Sequence, residues 1–212
     1  MTSVAVIDYG MGNLRSVAKA LEHVGAVSVE VTYDATTILQ AERVVFPGVG
    51  ALGDCMRELK RLKLDTVVRE CARSKPFLGI CLGMQALMDG SEENGGTPGL
   101  GIIPGAVTRF AAVGDTGSGR LKIPHMGWNQ VHQQHAHPLW EGIAQDARFY
   151  FVHSYYVAPD APETVSGRTQ YGIDFVSAIA VNNIFATQFH PEKSQRDGLM
   201  LLANFVHWNG TA

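Results

Sequence analysis

Apolar runs alternate with amphipathic segments along the first ninety residues of the chain. The apolar runs predict strands at 3–9, 27–32 and 43–46, and a further strand that begins at Pro76. Val17, Leu21 and Val24 recur at the spacing of one helix face. Segments of this kind predict helices at 14–24, 51–61 and 64–73. The alternation favours a mainly parallel sheet with helices on both faces, in which ligands bind beyond the carboxyl ends of the strands.

The pattern changes after a polar, glycine-rich loop at 89–100. The strands predicted beyond it are 105–110, 128–133, 147–157, 163–169, 174–181 and 184–189, with few helices between them. Ser194 is a candidate cap for a last helix at 195–208. We expect these strands to be antiparallel additions to the same sheet, so that residues 1–212 form one α/β domain. We assign no function to a glycine-rich insert at 111–120.

Composition narrows the class of protein. Apolar residues make up 46% of the 212 positions and charged residues 17%, which is enough for a substantial core. The formal net charge of −3, without a concentrated Lys/Arg run, argues against a nucleic-acid partner. Cys55, Cys71 and Cys81 form no CxxC pair, so we expect a reducing cytoplasm and neither a disulfide framework nor a structural zinc site. We expect no signal peptide and no membrane span.

Cys81 lies where a predicted strand gives way to a helix, with Gly79 and Gly83 on either side. A side chain raised on such a sharp turn needs a strained backbone, and a Cβ atom on either neighbour is expected to collide. The same spacing marks the nucleophile elbow, here with Cys in place of Ser. The N-terminus of the following helix is expected to favour the thiolate. A buried core cysteine packed beside glycines is the alternative interpretation.

A second candidate group follows the strand at 184–189. His190 and Glu192 are two residues apart, so on an extended chain both side chains face the same side. Pro191 biases His190 towards that extended conformation. The carboxylate of Glu192 is therefore expected to hold one ring nitrogen and to stabilise the imidazolium. A plain surface turn remains open for this segment.

Cysteine, histidine and glutamate together suit acyl transfer, in which a thiolate attacks a carbonyl and the imidazole protonates the leaving group. The tetrahedral oxyanion needs hydrogen-bond donors. The N–H of Leu82, one residue past the nucleophile, is one expected donor. The turn at 47–50, with Val49 and Gly50, is expected to supply the second. An ordinary strand-to-helix loop is the alternative for that turn.

Three motifs resemble those of the class I, triad-type glutamine amidotransferases. They are 47–50 (PGVG), 79–85 (GICLGMQ) and 190–192 (HPE), and they occur in the family's order over nearly the whole chain. The resemblance implies a flavodoxin-like α/β fold and glutamine as the substrate. Three further segments are similar to one branch, the glutaminase subunits of imidazole glycerol phosphate synthases: 8–13 (DYGMGN), 124–129 (PHMGWN) and 150–155 (YFVHSY).

That branch implies a specific reaction. Glutamine is hydrolysed to glutamate and ammonia through a γ-glutamyl thioester on Cys81. The ammonia passes to a (β/α)₈-barrel cyclase subunit, the heterodimer partner, which makes imidazole glycerol phosphate and an aminoimidazole-carboxamide ribonucleotide in histidine biosynthesis. The resemblance implies no cofactor, and the histidines do not fall at metal-ligand spacings.

The resemblance also implies roles for residues outside the three motifs. The expected substrate-binding residues are Gln85, Glu93, His153, Ser154 and Tyr155. Trp128 and Asn129 match family positions near the partner interface. A zwitterionic amino acid needs an acceptor for its ammonium group, which suits Glu93, although Glu92 and Glu93 also fit solvated loop charges. A core histidine is the alternative for His153, and a core tryptophan for Trp128.

Two other functions remain open at this point. Another triad amidotransferase branch, serving anthranilate or pyridoxal-phosphate synthesis, shares the triad motifs but words the turn and elbow differently. A non-enzymatic binding module on the same fold predicts that Cys81 does not react with a glutamine-like electrophile. We also expect the 47–50 turn to change orientation when the partner binds its own ligand, because glycine peptides reorient at low steric cost.

Overall fold

A computed structural model describes residues 2–111 and 122–211. Its first strands are β1 (Ser3–Ile7), β2 (Ser28–Thr32), β3 (Arg43–Gly48) and β4 (Phe77–Cys81). The accompanying helices are α1 (Leu14–His23), α2 (Ala35–Gln40), α3 (Leu52–Arg61), α4 (Leu64–Ser74) and α5 (Leu82–Ala86). The strands lie parallel in the order β2-β1-β3-β4, which confirms the predicted parallel sheet.

The hydrophobic pattern predicts no bounds for helix α2. The Asp34 carboxylate accepts a hydrogen bond from the backbone N–H of Thr37 at 2.8 Å and so caps the helix. Ile38 is its one buried residue. A single buried position in six residues produces no detectable period, so the helix depends on its cap and on packing against α4.

The second half supplies ten more strands and one long helix. The strands are β5 (Gly90–Ser91), β6 (Thr97–Pro98), β7 (Gly105–Arg109), β8 (His125–Gln130), β9 (His132–Gln133), β10 (Arg148–His153), β11 (Tyr155–Pro159), β12 (Val165–Tyr171), β13 (Ile173–Val181) and β14 (Ile184–Thr187). Helix α6 spans Gln195–His207. Of the insert at 111–120, only Ala111 belongs to the described residues.

Strand β14 joins the two halves of the sheet. It lies parallel to β4, and on its other side the sheet continues antiparallel through β13, β11 and β7. The expectation that the second half adds antiparallel strands to the same sheet is confirmed for these elements. As a result β4, which ends at Cys81, has β3 on one side and β14 on the other.

Strands β8 and β10 depart from that expectation, because they pair with each other in a separate antiparallel sheet. The single strand predicted at 147–157 is therefore wrong: it breaks at Ser154 into β10 and β11. Phe149 and Phe151 of β10 belong to the apolar layer that contains α6, whereas Val157 of β11 belongs to the layer on the opposite face. The break marks the point where the chain leaves the two-stranded sheet and enters the large sheet, because β10 pairs with β8 and β11 pairs with β7.

Two apolar layers cover the faces of the large sheet. Along β1, Val4 and Val6 pack into the layer with α1 and α6, whereas Ala5 and Ile7 pack into the layer with α2, α3 and α4. This alternation is the two-residue period of a strand buried on both faces. No helix in the described residues is long and apolar enough to cross a membrane.

Candidate active site

Cys81 occupies a strained backbone position at the end of β4. Its φ of 55° and ψ of −108° lie in a region that residues with a Cβ atom rarely adopt. A Cβ atom on Gly83 would lie 1.8 Å from the carbonyl oxygen of Phe46, so the predicted steric reason for that glycine is confirmed. Helix α5 follows directly but ends at Ala86, after five residues. Tight packing against β3 therefore fixes the elbow.

The strand register brings the other predicted motifs to Cys81. Gly48 of β3 pairs with Cys81 itself, so the 47–50 turn begins beside the sulfur. On the other side, Thr187 of β14 pairs with Ile80, which carries the chain from 188 onwards past the elbow. All three motifs therefore meet at the carboxyl ends of neighbouring parallel strands, as the sequence predicts.

His190 and Glu192 form a buried pair next to the cysteine. The Nδ1 atom of His190 lies 2.8 Å from Oε1 of Glu192, and only 3% and 1% of the two side chains are exposed. Burial lowers the pKa of His190, but the Cys81 sulfur and the Glu192 carboxylate raise it by more, so the net pKa lies above the usual value. The other ring nitrogen, Nε2, has no hydrogen-bond partner within the described residues. The imidazole is thus held at one nitrogen and left free at the other.

Ser194 has a different role from the predicted helix cap. Its hydroxyl donates to the carbonyl oxygen of His190 at 2.6 Å and accepts from the N–H of Tyr150 at 2.9 Å, and it makes no cap bond to α6. The N–H of His190 donates to the carbonyl oxygen of Tyr150 at 2.9 Å. These bonds anchor the backbone of the 190–194 segment to β10 and thereby fix the position of the imidazole.

A cavity of about 350 Å³ opens above Cys81. It is lined by Val49, Gly50, Cys81, Leu82, Gln85, Glu93, Pro124, Val152, His153, Ser154 and Tyr155. The structure therefore brings together the cysteine, the three predicted oxyanion residues and the five predicted substrate residues. His190 and Glu192 are not among the lining residues; both side chains are buried next to Cys81.

The oxyanion candidates line this cavity and follow the neighbouring strands β3 and β4. Leu82 is the first residue of α5, so its N–H has no acceptor within the helix. Gly50 has a φ of +95°, which favours glycine, and Val49 is 37% exposed. Both segments therefore carry backbone that is suited to present N–H groups to a ligand.

The structure separates the two neighbouring glutamates. Glu93 lines the cavity, and its Oε2 atom accepts the N–H of Leu52 at the start of α3 at 2.7 Å. Glu92 turns away and accepts the N–H of Arg109 on β7. The choice of Glu93 over Glu92 as the residue near the substrate is therefore consistent with its position.

Gln188, which is not among the predicted site residues, lies within hydrogen-bond distance of the Cys81 sulfur. The Nε2 atom of Gln188 lies 3.6 Å from Cys81 Sγ, and its Oε1 atom accepts from Nε2 of Gln85 at 3.0 Å. Gln85 also donates to the carbonyl oxygen of Tyr155 at 3.1 Å. A lone glutamine in an apolar strand gives no chemical signal in sequence; its position two residues before His190 is the one available clue.

His153 is paired with a second buried histidine. Its Nδ1–H donates to the carbonyl oxygen of Tyr155 at 2.8 Å, so in the neutral ring Nε2 accepts from Nδ1–H of His125 at 2.9 Å. The Nε2 atom of His125 then accepts from Asn129 at 3.2 Å. Burial lowers the pKa of His153 to about 3 and that of His125 to about 4, so both rings are neutral at pH 7.

The two predicted interface residues differ in exposure. Trp128 is 39% exposed, and Met126, two residues before it on β8, is 62% exposed. Asn129 is only partly exposed and uses its amide within the chain, donating to His125 and to the carbonyl oxygen of Gln170 at 2.9 Å. The core alternative for Trp128 is therefore wrong, and Asn129 supports the histidine pair through its hydrogen bond to His125.

The other two cysteines are unlike Cys81. Cys55 and Cys71 are fully buried in the helix layer, and all three thiols are free. Burial raises the pKa of Cys55 to about 12 and also raises that of Cys71. Of the three, Cys81 is the one that lines the cavity. Among the described residues, no cluster of three or more histidine, cysteine, aspartate or glutamate side chains is arranged to hold a metal ion.

A family model described as "Glutamine amidotransferase class-I" matches residues 5–208, almost the whole chain. The chain belongs to this family. Among curated relatives of this amidotransferase, "Imidazole glycerol phosphate synthase subunit HisH" of Nitrosococcus oceani is 63% identical over 213 residues and covers 100% of both chains. The protein of the same name from Pseudomonas putida is 58% identical over 210 residues and covers 99% of each.

Solved structures resemble the amidotransferase in fold. A putative GMP synthase subunit from Thermoplasma acidophilum has a TM-score of 0.70 at 19% identity and covers 98% of this chain and 93% of that one. The glutaminase domain of Trypanosoma brucei CTPS with bound acivicin has a TM-score of 0.65 at 16% identity and covers 99% and 95%. Identities this low establish the shared fold, a mainly parallel sheet flanked by helices.

Proposed function

We propose that this chain is the glutaminase subunit of an imidazole glycerol phosphate synthase and acts in histidine biosynthesis. The observation that carries the proposal is the buried His190–Glu192 pair beside Cys81 at the base of a cavity. The choice of branch is supported by relatives that carry that subunit name and match the full length of the chain.

The first half of the proposed reaction forms the thioester. The Cys81 thiolate attacks the side-chain carbonyl carbon of glutamine, and the resulting oxyanion is stabilised by the N–H of Leu82 and by the 47–50 turn. The imidazolium of His190 gives its Nε2 proton to the departing nitrogen. The C–N bond breaks, ammonia leaves, and the γ-glutamyl group remains on sulfur. Glu192 holds Nδ1–H throughout, so the ring presents Nε2 to the substrate.

The second half restores the enzyme. Neutral His190 takes a proton from a water molecule, whose oxygen attacks the thioester carbonyl. The C–S bond breaks, glutamate forms, and the thiolate–imidazolium pair returns. One glutamine and one water have then become one glutamate and one ammonia. General acid–base catalysis of this kind contributes roughly 10²–10⁴-fold to the rate.

The amino-acid end of glutamine is proposed to bind on the opposite wall of the cavity. Glu93 is the acceptor proposed for the ammonium group, since its carboxylate lies in the lining and uses one oxygen for Leu52. Gln85 and the segment formed by His153, Ser154 and Tyr155 are proposed to hold the carboxylate. A cavity of about 350 Å³ suits a single amino acid.

The proposed partner is the (β/α)₈-barrel cyclase subunit, which receives the ammonia. Support comes from three exposed apolar side chains: Val49, which lines the cavity, and Met126 and Trp128 of β8 are 37%, 62% and 39% exposed. Met126 and Trp128 are two residues apart on one strand and so share a face, and neighbouring exposed apolar side chains of this kind mark interaction surfaces. Trp128 is the residue we assign to this contact directly, and Asn129 the one that holds β8 in place behind it.

Two further expectations belong to this proposal. Residues 1–212 form one domain, which the continuity of the sheet across β4 and β14 supports. The chain works in the cytoplasm, which three free thiols support, because free thiols are usual in reducing compartments.

The test is a coupled assay with the cyclase subunit and its aminoimidazole-carboxamide nucleotide ligand. We expect glutamate release that rises when both are present and that is abolished in Cys81→Ser. Cys71→Ser is the matched control, because its thiol is buried away from the cavity, and it should retain activity. Glutamate release stimulated instead by chorismate or a pentose phosphate with the matching synthase would assign the chain to another branch. Full turnover by Cys81→Ser would contradict the mechanism.

A further inference from the structure

Gln188 is fully buried and lies directly beside the nucleophile. It follows β14, and its exposed fraction is 0%. Its backbone N–H donates to the carbonyl oxygen of Ser177 on β13 at 2.9 Å, which fixes the main chain. Its side chain reaches the other way, with Nε2 at 3.6 Å from Cys81 Sγ. The residue is not among those that line the cavity.

The hydrogen-bond network dictates which end of the amide faces the sulfur. The carbonyl oxygen of Tyr155 accepts only, so Gln85 must direct its NH₂ group towards it. The same NH₂ group then faces Gln188, which must present its oxygen in return. The NH₂ group of Gln188 is therefore left facing Cys81. Two buried amides in series thus aim an N–H donor at the sulfur.

An N–H donor at this place distinguishes two states of the cysteine. A thiolate accepts a hydrogen bond far better than a neutral thiol, so a fixed donor stabilises the charged form. The titratable groups around the sulfur come from two other elements: His190 with Glu192 after β14, and Tyr9 after β1. Among these neighbours, Gln188 is the one whose N–H lies within hydrogen-bond distance of the sulfur; the Nε2 atom of His190 and the hydroxyl of Tyr9 make no hydrogen bond within the described residues. The carbonyl oxygen of Val152, 4.0 Å away, faces the sulfur as an acceptor.

We propose that Gln188 is a positioning residue that holds the Cys81 sulfur in place and supports its thiolate form through the Gln188 side-chain N–H. The inference rests on the proposed function for its consequence in catalysis, but not for its effect on the sulfur. It assigns to Gln188 a task separate from that of His190, which moves the proton. Gln188 keeps its hydrogens throughout.

The main experiment compares Gln188→Met with Ser177→Ala. Methionine has a similar length and no donor, and Ser177 is equally buried on the neighbouring strand, with a hydroxyl that has no partner among the described residues. The rate of Cys81 alkylation by iodoacetamide is measured against pH, with peptide mapping to identify the modified cysteine. In Gln188→Met we expect the midpoint of this profile to move up by about one pH unit. In Ser177→Ala it should stay in place.

Steady-state kinetics separate an effect on the sulfur from an effect through Gln85. In the complete complex, Gln188→Met should lower kcat about tenfold, with KM changed by less than about twofold. A raised KM with an unchanged alkylation profile would overturn the proposal, because Gln188 would then act by placing Gln85. If the native chain proves not to be a glutaminase, the alkylation profiles still decide the inference.

Two further measurements test the proposal even if Gln188→Met does not fold. Gln188→Glu keeps the shape but replaces the donor by an anion, so its alkylation midpoint should lie above that of Gln188→Met. In the unmodified chain, the side-chain ¹⁵N resonance of Gln188 should shift with pH at the same midpoint as Cys81 alkylation. A Gln188 resonance that is insensitive to this titration and to alkylation would overturn the inference.

Discussion

His190 and the pair formed by His125 and His153 are equally buried, at 2%, 3% and 6% exposed, yet their pKa values move in opposite directions. The pKa of His190 lies above the usual value because the Glu192 carboxylate and the Cys81 sulfur outweigh the cost of burial. The pKa values of His125 and His153 lie well below it, because burial dominates and their hydrogen-bond partners are neutral.

The difference teaches that the partners of a buried histidine, and not its depth, decide its charge. Beside Cys81, the anionic partners hold the proton on His190 that the proposed mechanism delivers to the leaving group. In the His125–His153 pair, neutral partners fix the tautomers of both rings. The rings therefore make directional hydrogen bonds that connect β8, β10 and the Tyr155 carbonyl. Histidine is thus protonated beside Cys81, whereas in the His125–His153 pair it is neutral and makes fixed hydrogen bonds.

Glu192→Gln should break the comparison most strongly. An amide of the same size removes the negative charge at Nδ1, so burial gains weight and the pKa of His190 should fall. We expect kcat for glutamine hydrolysis to drop about 100-fold in the complete complex. NMR of labelled histidine should show the His190 titration at lower pH. If the titration and turnover stay unchanged, the Glu192 carboxylate does not raise the pKa of His190 and has no part in catalysis.

His125→Phe should have the next largest effect, on stability. The aromatic ring keeps the stacking with Tyr171, whose centroid lies 3.9 Å away, but His153 Nε2 loses its donor. We expect a loss of about 1–3 kcal/mol in the free energy of unfolding at pH 7, measured in urea.

The same variant tests the sign of the pH dependence. A group whose folded pKa is lowered contributes stability above its unfolded pKa, near 6.5, and loses it as the pH falls towards the folded pKa. The pKa of His125 is lowered to about 4 in the folded chain. Titration of this residue should therefore lower the free energy of unfolding of the native chain by about 2 kcal/mol between pH 6.5 and 5. His190 shifts the other way and loses its stabilisation only as the pH rises, so it does not contribute in this window. A variant with the same acid dependence as the native chain would contradict the neutral pair.

Asp146→Asn should have the smallest effect and serves as the control for Glu192→Gln. It makes the same carboxylate-to-amide change beside an imidazole, at the 2.9 Å contact between His132 and Asp146. These side chains are 59% and 48% exposed, so water screens their interaction. We expect a change within about 0.5 kcal/mol in the free energy of unfolding and unaltered turnover. A large effect here would show that exposure does not set the difference between the two carboxylates.

Sequence reasoning reached the parts of the site that obey local rules. Cys81 between two glycines, and His190 two residues before Glu192, follow from elbow sterics and strand geometry, and the parallel order of β1, β3 and β4 follows from alternating elements. The fold positions Cys81, His190 and Glu192 together because their strands are neighbours in the sheet.

The rest depends on contacts that leave no local pattern. The break at Ser154 occurs inside an unbroken strand-like run, because the chain there passes from the two-stranded sheet to the large sheet. Ser194 looks like a helix cap but bonds to the backbone of His190. Gln188 and His125 have partners that are far away in sequence, so only the folded chain shows what they contact.

In the proposed mechanism, the Cys81 sulfur forms the covalent bond with glutamine. The most direct measurement incubates the complete complex with a glutamine analogue that carries a diazoketone in place of the amide, and then maps the modified peptide by mass spectrometry. We expect one label, on Cys81, that excess glutamine suppresses and that parallels the loss of glutamate release. A label on Cys55 or Cys71, or full inactivation with Cys81 unmodified, would contradict it.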